Sequence, residues 1–220
     1  MTEPVALLAA TAATVAVLHT LVGPDHYLPF IALGRARGWS GQRTLAVTAA
    51  CGVGHVLGSV ALGAVGIALG VALSRLQALE AARGDLAAWL LIAVGLAYGA
   101  WGWRRAVRSS RIRGLAGHRH APPPRRGEAT PWVLFAVFVL GPCEPLIPLL
   151  MVPAAQGDPA GAVAVAGVFG LVTIATMVGA VAFGRLGVGL LPFGRLERYG
   201  HALAGASILL CGLGIRILGI

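Results

Sequence analysis

Leu21-Val22-Gly23-Pro24-Asp25-His26-Tyr27-Leu28 and, at an offset of 118, Val139-Leu140-Gly141-Pro142-Cys143-Glu144-Pro145-Leu146 are two versions of one phrase. Each lies in a long apolar run and interrupts it with Gly-Pro. Each then places two polar side chains of metal-ligand type directly after the proline, and a Leu four positions after it. Proline lacks the N–H that a continuing helix needs, so both stretches predict a broken helix. At the same offset His55 falls on Thr173 and Gly66 on Gly184, while Gly95-Leu96 lies near the counterpart of Gly212-Leu213. Recurrence by chance in a Gly- and Leu-rich chain would explain a second Gly-Pro, but not the coincident polar pairs in the same order of segments. The chain therefore reads as an internal repeat.

Composition says what kind of protein carries the repeat. Hydrophobic residues make up 57% of the 220, Gly adds 32 residues, and only 11% are charged. A typical soluble domain has about 25% charged residues. These proportions exclude a soluble enzyme, a disordered chain and a disulfide-stapled secreted module. They fit a polytopic membrane protein whose helices pack closely through small residues. The net charge of +9 comes from 17 basic residues, all Arg, which gather between apolar segments. That distribution marks loops and argues against a nucleic-acid surface. Cys51, Cys143 and Cys211 form no CxxC pair, which excludes a disulfide framework and a zinc knuckle. Cys51 and Cys211 read as packing residues.

A crossing helix needs ~20 apolar residues. Six segments qualify: 4–33, 44–73, 87–103, 132–155, 160–183 and 200–219. The first lacks a basic leader and carries His19, Asp25 and His26 near its distal end, unlike a cleaved signal peptide. The expected fold is an all-α membrane protein of six transmembrane helices, arranged as two inverted three-helix repeats. The first and fourth helices are broken at Gly-Pro. The division is 1–103 for the first repeat, 104–131 for an Arg/Pro-rich loop and 132–220 for the second. Three spans per copy make the second copy cross in the opposite sense, and sites in such folds lie near the midplane.

Arginines set the orientation. Arg35, Arg37 and Arg43 follow the first span, eight Arg from Arg104 to Arg126 follow the third, and Arg185, Arg195 and Arg198 follow the fifth. Only Arg75 and Arg83 fall in the opposite loops, and Arg216 can snorkel. The positive-inside rule then places 104–131 in the cytoplasm and both termini outside, in the cytoplasmic (inner) membrane.

Of the eight acidic residues, Glu3, Glu80, Asp85, Glu128, Asp158 and Glu197 read as loop or terminal residues. Asp25 and Glu144 remain inside apolar spans, where a charge is costly and normally has a partner and a use. His19, His26 and His55 fall in the first two spans, and Cys143 adjoins Glu144. His19 and His26 are seven apart and share a face if the helix is continuous. Gly54-His55-Val-Leu-Gly58 places small residues four apart for close helix contact. Imidazole with carboxylate suits Ni, Co, Fe or Zn, and a thiolate tilts the set toward softer ions. Plainer readings stand beside these. The histidines can be hydrogen-bonded within the bundle, Asp25-His26 can be a structural pair, and Asp25 can orient a ligand histidine. Cys143 can be a small hydrophobe. Thr173 and Thr176 either line a polar path or bond back to their own helix. His118 and His120 lie in the Pro-rich loop, as transient metal captors or as part of a lipid-facing solvated segment.

His19-Thr-Leu-Val-Gly-Pro-Asp25-His26 resembles the first-helix signature of the nickel/cobalt transporter family, including its six-span urease-accessory and efflux relatives. Gly54-His55 resembles that family's second-helix element. The chain departs from the pattern by one residue, with five (Thr20 to Pro24) between His19 and Asp25 where four are usual. The resemblance implies that His19, Asp25, His26 and His55 select the metal. It leads to the expectation of a permease, not an enzyme, carrying a divalent metal ion by alternating access. Nickel or cobalt is expected first, with zinc or iron allowed. Glu144 would bind the ion or exchange a proton, Cys143 would be an optional soft ligand, and no cofactor would be tightly bound. Partners are the ion and the lipid bilayer, with a homo-oligomer allowed and nucleic acid excluded. The alternative rests on Gly141-Pro-Cys-Glu-Pro-Leu-Ile-Pro148, which resembles the Pro-Cys-rich helix of the thiol–disulfide relays of cytochrome biogenesis. That reading makes Cys143 a redox thiol, although the repeat places Asp25 where a second cysteine would stand. A permease for an anion is disfavoured by acidic residues at both breaks.

Overall fold

A computed structural model of the chain describes residues 3–113, 130–190 and 194–218. All regular elements among them are helical. In chain order they are α1 (Glu3–Val22), a 3-10 turn (Pro24–His26), α2 (Leu28–Ala36), α3 (Gly41–Ala68), α4 (Leu73–Arg113), α5 (Thr130–Leu140), α6 (Leu146–Ala155), α7 (Pro159–Leu190), a 3-10 segment (Gly194–Tyr199) and α8 (Gly200–Leu218). Local chemistry sets several boundaries. Ser40 caps α3 by accepting from the Arg43 N–H at 3.2 Å. Asp158 opens α7 by accepting from the Gly161 N–H at 2.8 Å. Gly38, Gly70 and Gly157, just beyond α2, α3 and α6, have φ of 63°, 63° and 68°, which favours glycine.

Among the described residues, five helices are long and apolar enough to cross a membrane: Val5–Val22, Gly41–Ala68, Leu73–Arg108, Pro159–Leu190 and Leu196–Ile217. Large apolar side chains such as Leu18, Leu57, Leu96, Leu171 and Phe183 face outward, as an integral membrane protein requires. α5 and α6 are apolar but individually shorter. Both Gly-Pro stretches interrupt helices, as their sequence predicts. The third apolar segment differs. It was expected over 87–103, yet α4 runs from Leu73 to Arg113 and takes the start of the 104–131 loop into helix. Its N-terminal turns carry Arg75, Glu80 and Arg83, polar residues that are good helix formers. His118, His120 and Glu128 lie outside the described residues.

The longest helix pairing is between α4 and α8, and glycines bring the two backbones together. A Cβ at Gly95 would sit 2.5 Å from the Leu209 nitrogen, and one at Gly102 would sit 2.5 Å from the Ala202 nitrogen. Without a hydrophobic drive in lipid, such close van der Waals contact is what holds helices together. α1 packs on α7, and α3 lies between α5 and α7.

The second break is held by an ion pair. Pro142 and Pro145 have no N–H, so the carbonyls of Phe138 and Gly141 lack their i+4 donors, and the Gly141 N–H turns back to Phe138 at 3.1 Å. The Arg83 guanidinium donates to the Val139 carbonyl at 2.8 Å and to the Gly141 carbonyl at 3.4 Å, closing the frayed end of α5. On the other side of the break, the Cys143 N–H donates to Ser59 Oγ and Glu80 Oε2, both at 3.1 Å. Ser59 in turn donates to Glu80 at 3.2 Å, and Arg83 pairs with the other Glu80 oxygen. Glu80 is 1% exposed. It was expected in a loop, but it sits on the buried stripe Leu76–Glu80–Gly84–Ala87 of α4, where it answers a backbone donor that water cannot reach.

Two outcomes are expected. Glu80→Ala leaves the Arg83 charge without its carboxylate and the Cys143 N–H with Ser59 alone, and should cost about 3–5 kcal/mol, read as an unfolding midpoint in detergent well below wild type. Gly102→Val forces α4 from α8 and should cost about 1–3 kcal/mol in the same measurement.

Candidate functional site

The first break brings three imidazoles together. α1 ends at Val22, and the Gly23 N–H still donates to the His19 carbonyl at 3.1 Å. The chain then tightens into the Pro24–His26 turn, closed by the Tyr27 N–H donating to the Pro24 carbonyl. The helix is not continuous from His19 to His26, so the two do not share a face by simple period. The turn nonetheless folds His26 back, with its ring centroid 4.8 Å from that of His19. His55, from the middle of α3, completes the group at 5.2 Å from His26 and 6.3 Å from His19. Their ligand atoms all lie within 4.8 Å of one another, and among the described residues this is the group of His, Cys, Asp and Glu arranged to hold a metal ion.

Backbone carbonyls at the breaks orient two of the rings. His26 Nδ1 lies 3.0 Å from the Gly23 carbonyl, and His55 Nδ1 lies 3.3 Å from the Phe138 carbonyl. The Phe138 oxygen loses its i+4 donor to Pro142 and accepts the Gly141 N–H at 3.1 Å beside the His55 ring. A carbonyl only accepts, so both Nδ1 atoms carry a proton, and in the neutral ring Nε2 is the nitrogen with the lone pair. The Nε2 atoms of His19, His26 and His55 are all buried without a hydrogen-bond partner. At both breaks an imidazole lies where a side chain would go, closely at Gly23 and less so at Gly141. A Cβ at Gly23 would lie 2.6 Å from His26 Nδ1, and one at Gly141 would lie 3.2 Å from His55 Nδ1.

Asp25 borders the group, with Oδ1 3.4 Å from His26 Nδ1 and outside hydrogen-bond geometry. That distance is an electrostatic contact. The hydrogen bond from His26 goes to Gly23. Asp25, His19 and His26 line the inner end of a cavity of about 490 Å³ whose wall also includes Asp85, Glu144 and Arg216. Arg216 pairs with Asp85 at 3.3 Å, with both side chains largely exposed.

The remaining expected site residues separate from the imidazoles. Glu144 is exposed on the cavity wall and is not a buried span carboxylate. The carboxylate buried at that break is Glu80. Cys143 is fully buried, packed with Ala12, Ala16, Val56 and Phe169, and its backbone rather than its thiol meets polar partners. Cys51 and Cys211 are buried too, and all three cysteines are free. Thr176 bonds back to the Val172 carbonyl at 2.8 Å, whereas the buried Thr173 Oγ1 has no partner. Gly54 and Gly58 press α3 against Phe135 and Val139 of α5, the close contact that their spacing predicts. Ser59, Glu80 and Arg83 were missed as site-building residues. The available signal was an acid at helical spacing within the stripe Leu76, Glu80, Gly84, Ala87.

Residues 28–215 match the cytochrome c biogenesis protein transmembrane region, a protein family defined by that membrane-embedded part. No curated protein and no solved structure matches the chain. The match corrects the expected membership of the nickel/cobalt transporter family, and with it the expected transport of nickel or cobalt by alternating access. That resemblance rested on a few residues around His19, Asp25, His26 and His55, and a set of imidazole donors reports local chemistry rather than the scaffold that carries it. The alternative drawn from residues 141–148 is the one that agrees with the match, which covers most of the sequence from α2 to α8. The chain belongs to the family of the cytochrome c biogenesis protein transmembrane region.

Proposed function

We propose that the protein is a membrane thiol–disulfide relay of the cytochrome-biogenesis type, with Cys143 as its exchanging thiol. The observation that carries this reading is the family match over residues 28–215, which includes every cysteine of the chain. Cys143 is the one placed at a helix break, between Pro142 and Glu144, both of which line the cavity. Cys51 and Cys211 lie within the continuous helices α3 and α8.

Because Asp25 stands at the repeat position matched to Cys143, exchange runs through partner sulfurs. The Cys143 thiolate attacks the disulfide of an acceptor protein, forming a mixed disulfide and releasing one acceptor thiolate. A thiolate of a donor dithiol then attacks the Cys143 sulfur, which releases the reduced acceptor. The donor's second thiol attacks its own bridged sulfur, closing the donor disulfide and restoring Cys143. The net change is two electrons and two protons moved from donor dithiol to acceptor disulfide. Cys143 is buried, so the wall around Pro142 and Glu144 opens during exchange.

The relay is housed in six spans forming two inverted repeats, with α1–α2 and α5–α6 each making one broken crossing. What supports this arrangement is the pattern of neighbours. α1 packs on α7 as α5 packs on α3, and α2 packs on α8 as α6 packs on α4. The arginine distribution places the 104–131 loop in the cytoplasm and both termini outside, in the inner membrane.

Reconstituted into liposomes with a dithiol donor and a disulfide acceptor, Cys143→Ala should lose transfer, and the Cys51→Ala/Cys211→Ala double variant should keep it. Full transfer by Cys143→Ala would overturn the relay. For orientation, cysteines introduced at His120 and at Thr2 in a Cys-free background should react with an impermeant maleimide from opposite sides. Labelling of both from one side would contradict the odd number of crossings between them and so the six-span arrangement.

A further inference from the structure

The three unpartnered Nε2 atoms of His19, His26 and His55 ask for something that the protein does not supply. Each is a buried polar atom, and leaving one unsatisfied costs about 1–3 kcal/mol. Their Nδ1 partners explain the arrangement. Gly23 and Phe138 carbonyls hold the protons of His26 and His55 on the outer nitrogen, as backbone acceptors commonly do for metal-binding histidines. In these two neutral rings the lone pair is thereby left on Nε2, where the unpartnered Nε2 of His19 joins them from a third segment. No protein donor reaches these atoms. A cation satisfies three convergent imidazole nitrogens together.

We infer that His19, His26 and His55 form a binding site for one divalent first-row transition-metal ion, bound through the three Nε2 atoms. This is an ion resident in the fold, not a cargo. Three neutral nitrogens suit zinc, cobalt, nickel or copper over magnesium or calcium, which prefer oxygen. Nitrogen ligands around a tetrahedral ion at ~2.0–2.1 Å stand about 3.4 Å apart, so the three rings draw in by roughly an ångström on binding. Three protein ligands leave a fourth position for water or another small ligand. Asp25 orients and compensates. Its Oδ1 faces His26 Nδ1 at 3.4 Å and offsets part of the ion's charge. The cavity of about 490 Å³ supplies the route, with the carboxylates of Glu144 and Asp85 on its wall and His19, His26 and Asp25 at its inner end.

The inference does not depend on the relay. Two of the three histidines precede Leu28, where the family match begins, and no cysteine belongs to the group. The other histidines do not compete for the assignment. His201 is engaged by the Tyr98 hydroxyl at 2.8 Å, and His118 and His120 can be removed by mutation.

The test uses chelator-stripped protein in detergent, in a His118→Ala/His120→Ala background, titrated with Co²⁺ as the probe. One equivalent should bind saturably, with the visible ligand-field absorption of nitrogen-ligated cobalt, and Zn²⁺ should displace it. His26→Gln and His55→Gln should weaken binding by more than the roughly 10–100-fold expected from losing an outer partner. Asp25→Asn should fall within that roughly 10–100-fold range and keep one equivalent, while His201→Gln should bind as the parent does. Thermal unfolding of each variant without metal separates ligand loss from misfolding, and the parent titration needs no site variant at all. Absence of a saturable nitrogen-ligated cobalt spectrum in the parent overturns the site. So does parent-like binding by both His26→Gln and His55→Gln. Loss of thiol transfer in Cys143→Ala with cobalt binding intact separates this site from the relay.

Discussion

In a bilayer every backbone N–H and C=O must find a partner inside the protein, because there is no water to take its place. A straight helix meets that demand alone. A helix broken at Gly-Pro does not, and this chain breaks two. Most of its unusual buried chemistry answers the groups so exposed. Arg83 closes the carbonyls of Val139 and Gly141. Ser59 and Glu80 take the Cys143 N–H. His26 and His55 add an imidazole to the carbonyls of Gly23 and Phe138, which otherwise keep only a tightened backbone bond.

These satisfactions also aim side chains. An imidazole whose Nδ1 is tied to a carbonyl has its ring plane and its tautomer set together, and its far nitrogen can point only one way. Two breaks on different segments therefore orient two rings toward the same space, where His19 of α1 meets them. At the second break the same logic seats Cys143 between a buried carboxylate and a cavity wall. Backbone repair and functional placement are thus one set of interactions, and the glycines at 23 and 141 leave room for the rings that perform it.

How much of this could be read from residues alone follows from the range of each signal. The breaks, the apolar segments and the histidines as a group were legible, because Gly-Pro acts locally and a charged or imidazole side chain is conspicuous in an apolar run. Glu80 and Glu144 were read the wrong way round. Glu80 lies among Arg75, Gln77, Arg83 and Asp85, a polar neighbourhood that resembles a loop, yet the helix continues through it and one face turns inward. Glu144 lies in an apolar run, yet the break turns it outward to the cavity. Family membership was misjudged for a related reason. The His and Asp-His spacing is conspicuous but brief, and most of the apolar chain that carries the family pattern offers no single residue to notice.

By itself the sequence determined that the protein is helical and membrane-embedded, that two helices break at Gly-Pro, and which ionisable groups lie within apolar segments. Composition and proline chemistry are properties of the chain, so no partner is needed to read them. Tertiary structure alone decided that His19, His26 and His55 converge while Cys143 and Glu144 part from them, and that Glu80 and Arg83 brace the second break. Those outcomes depend on which carbonyl or N–H of one segment is brought against which side chain of another. The physical reason is that a freed backbone group specifies only that it must be answered, and packing selects the residue that answers it.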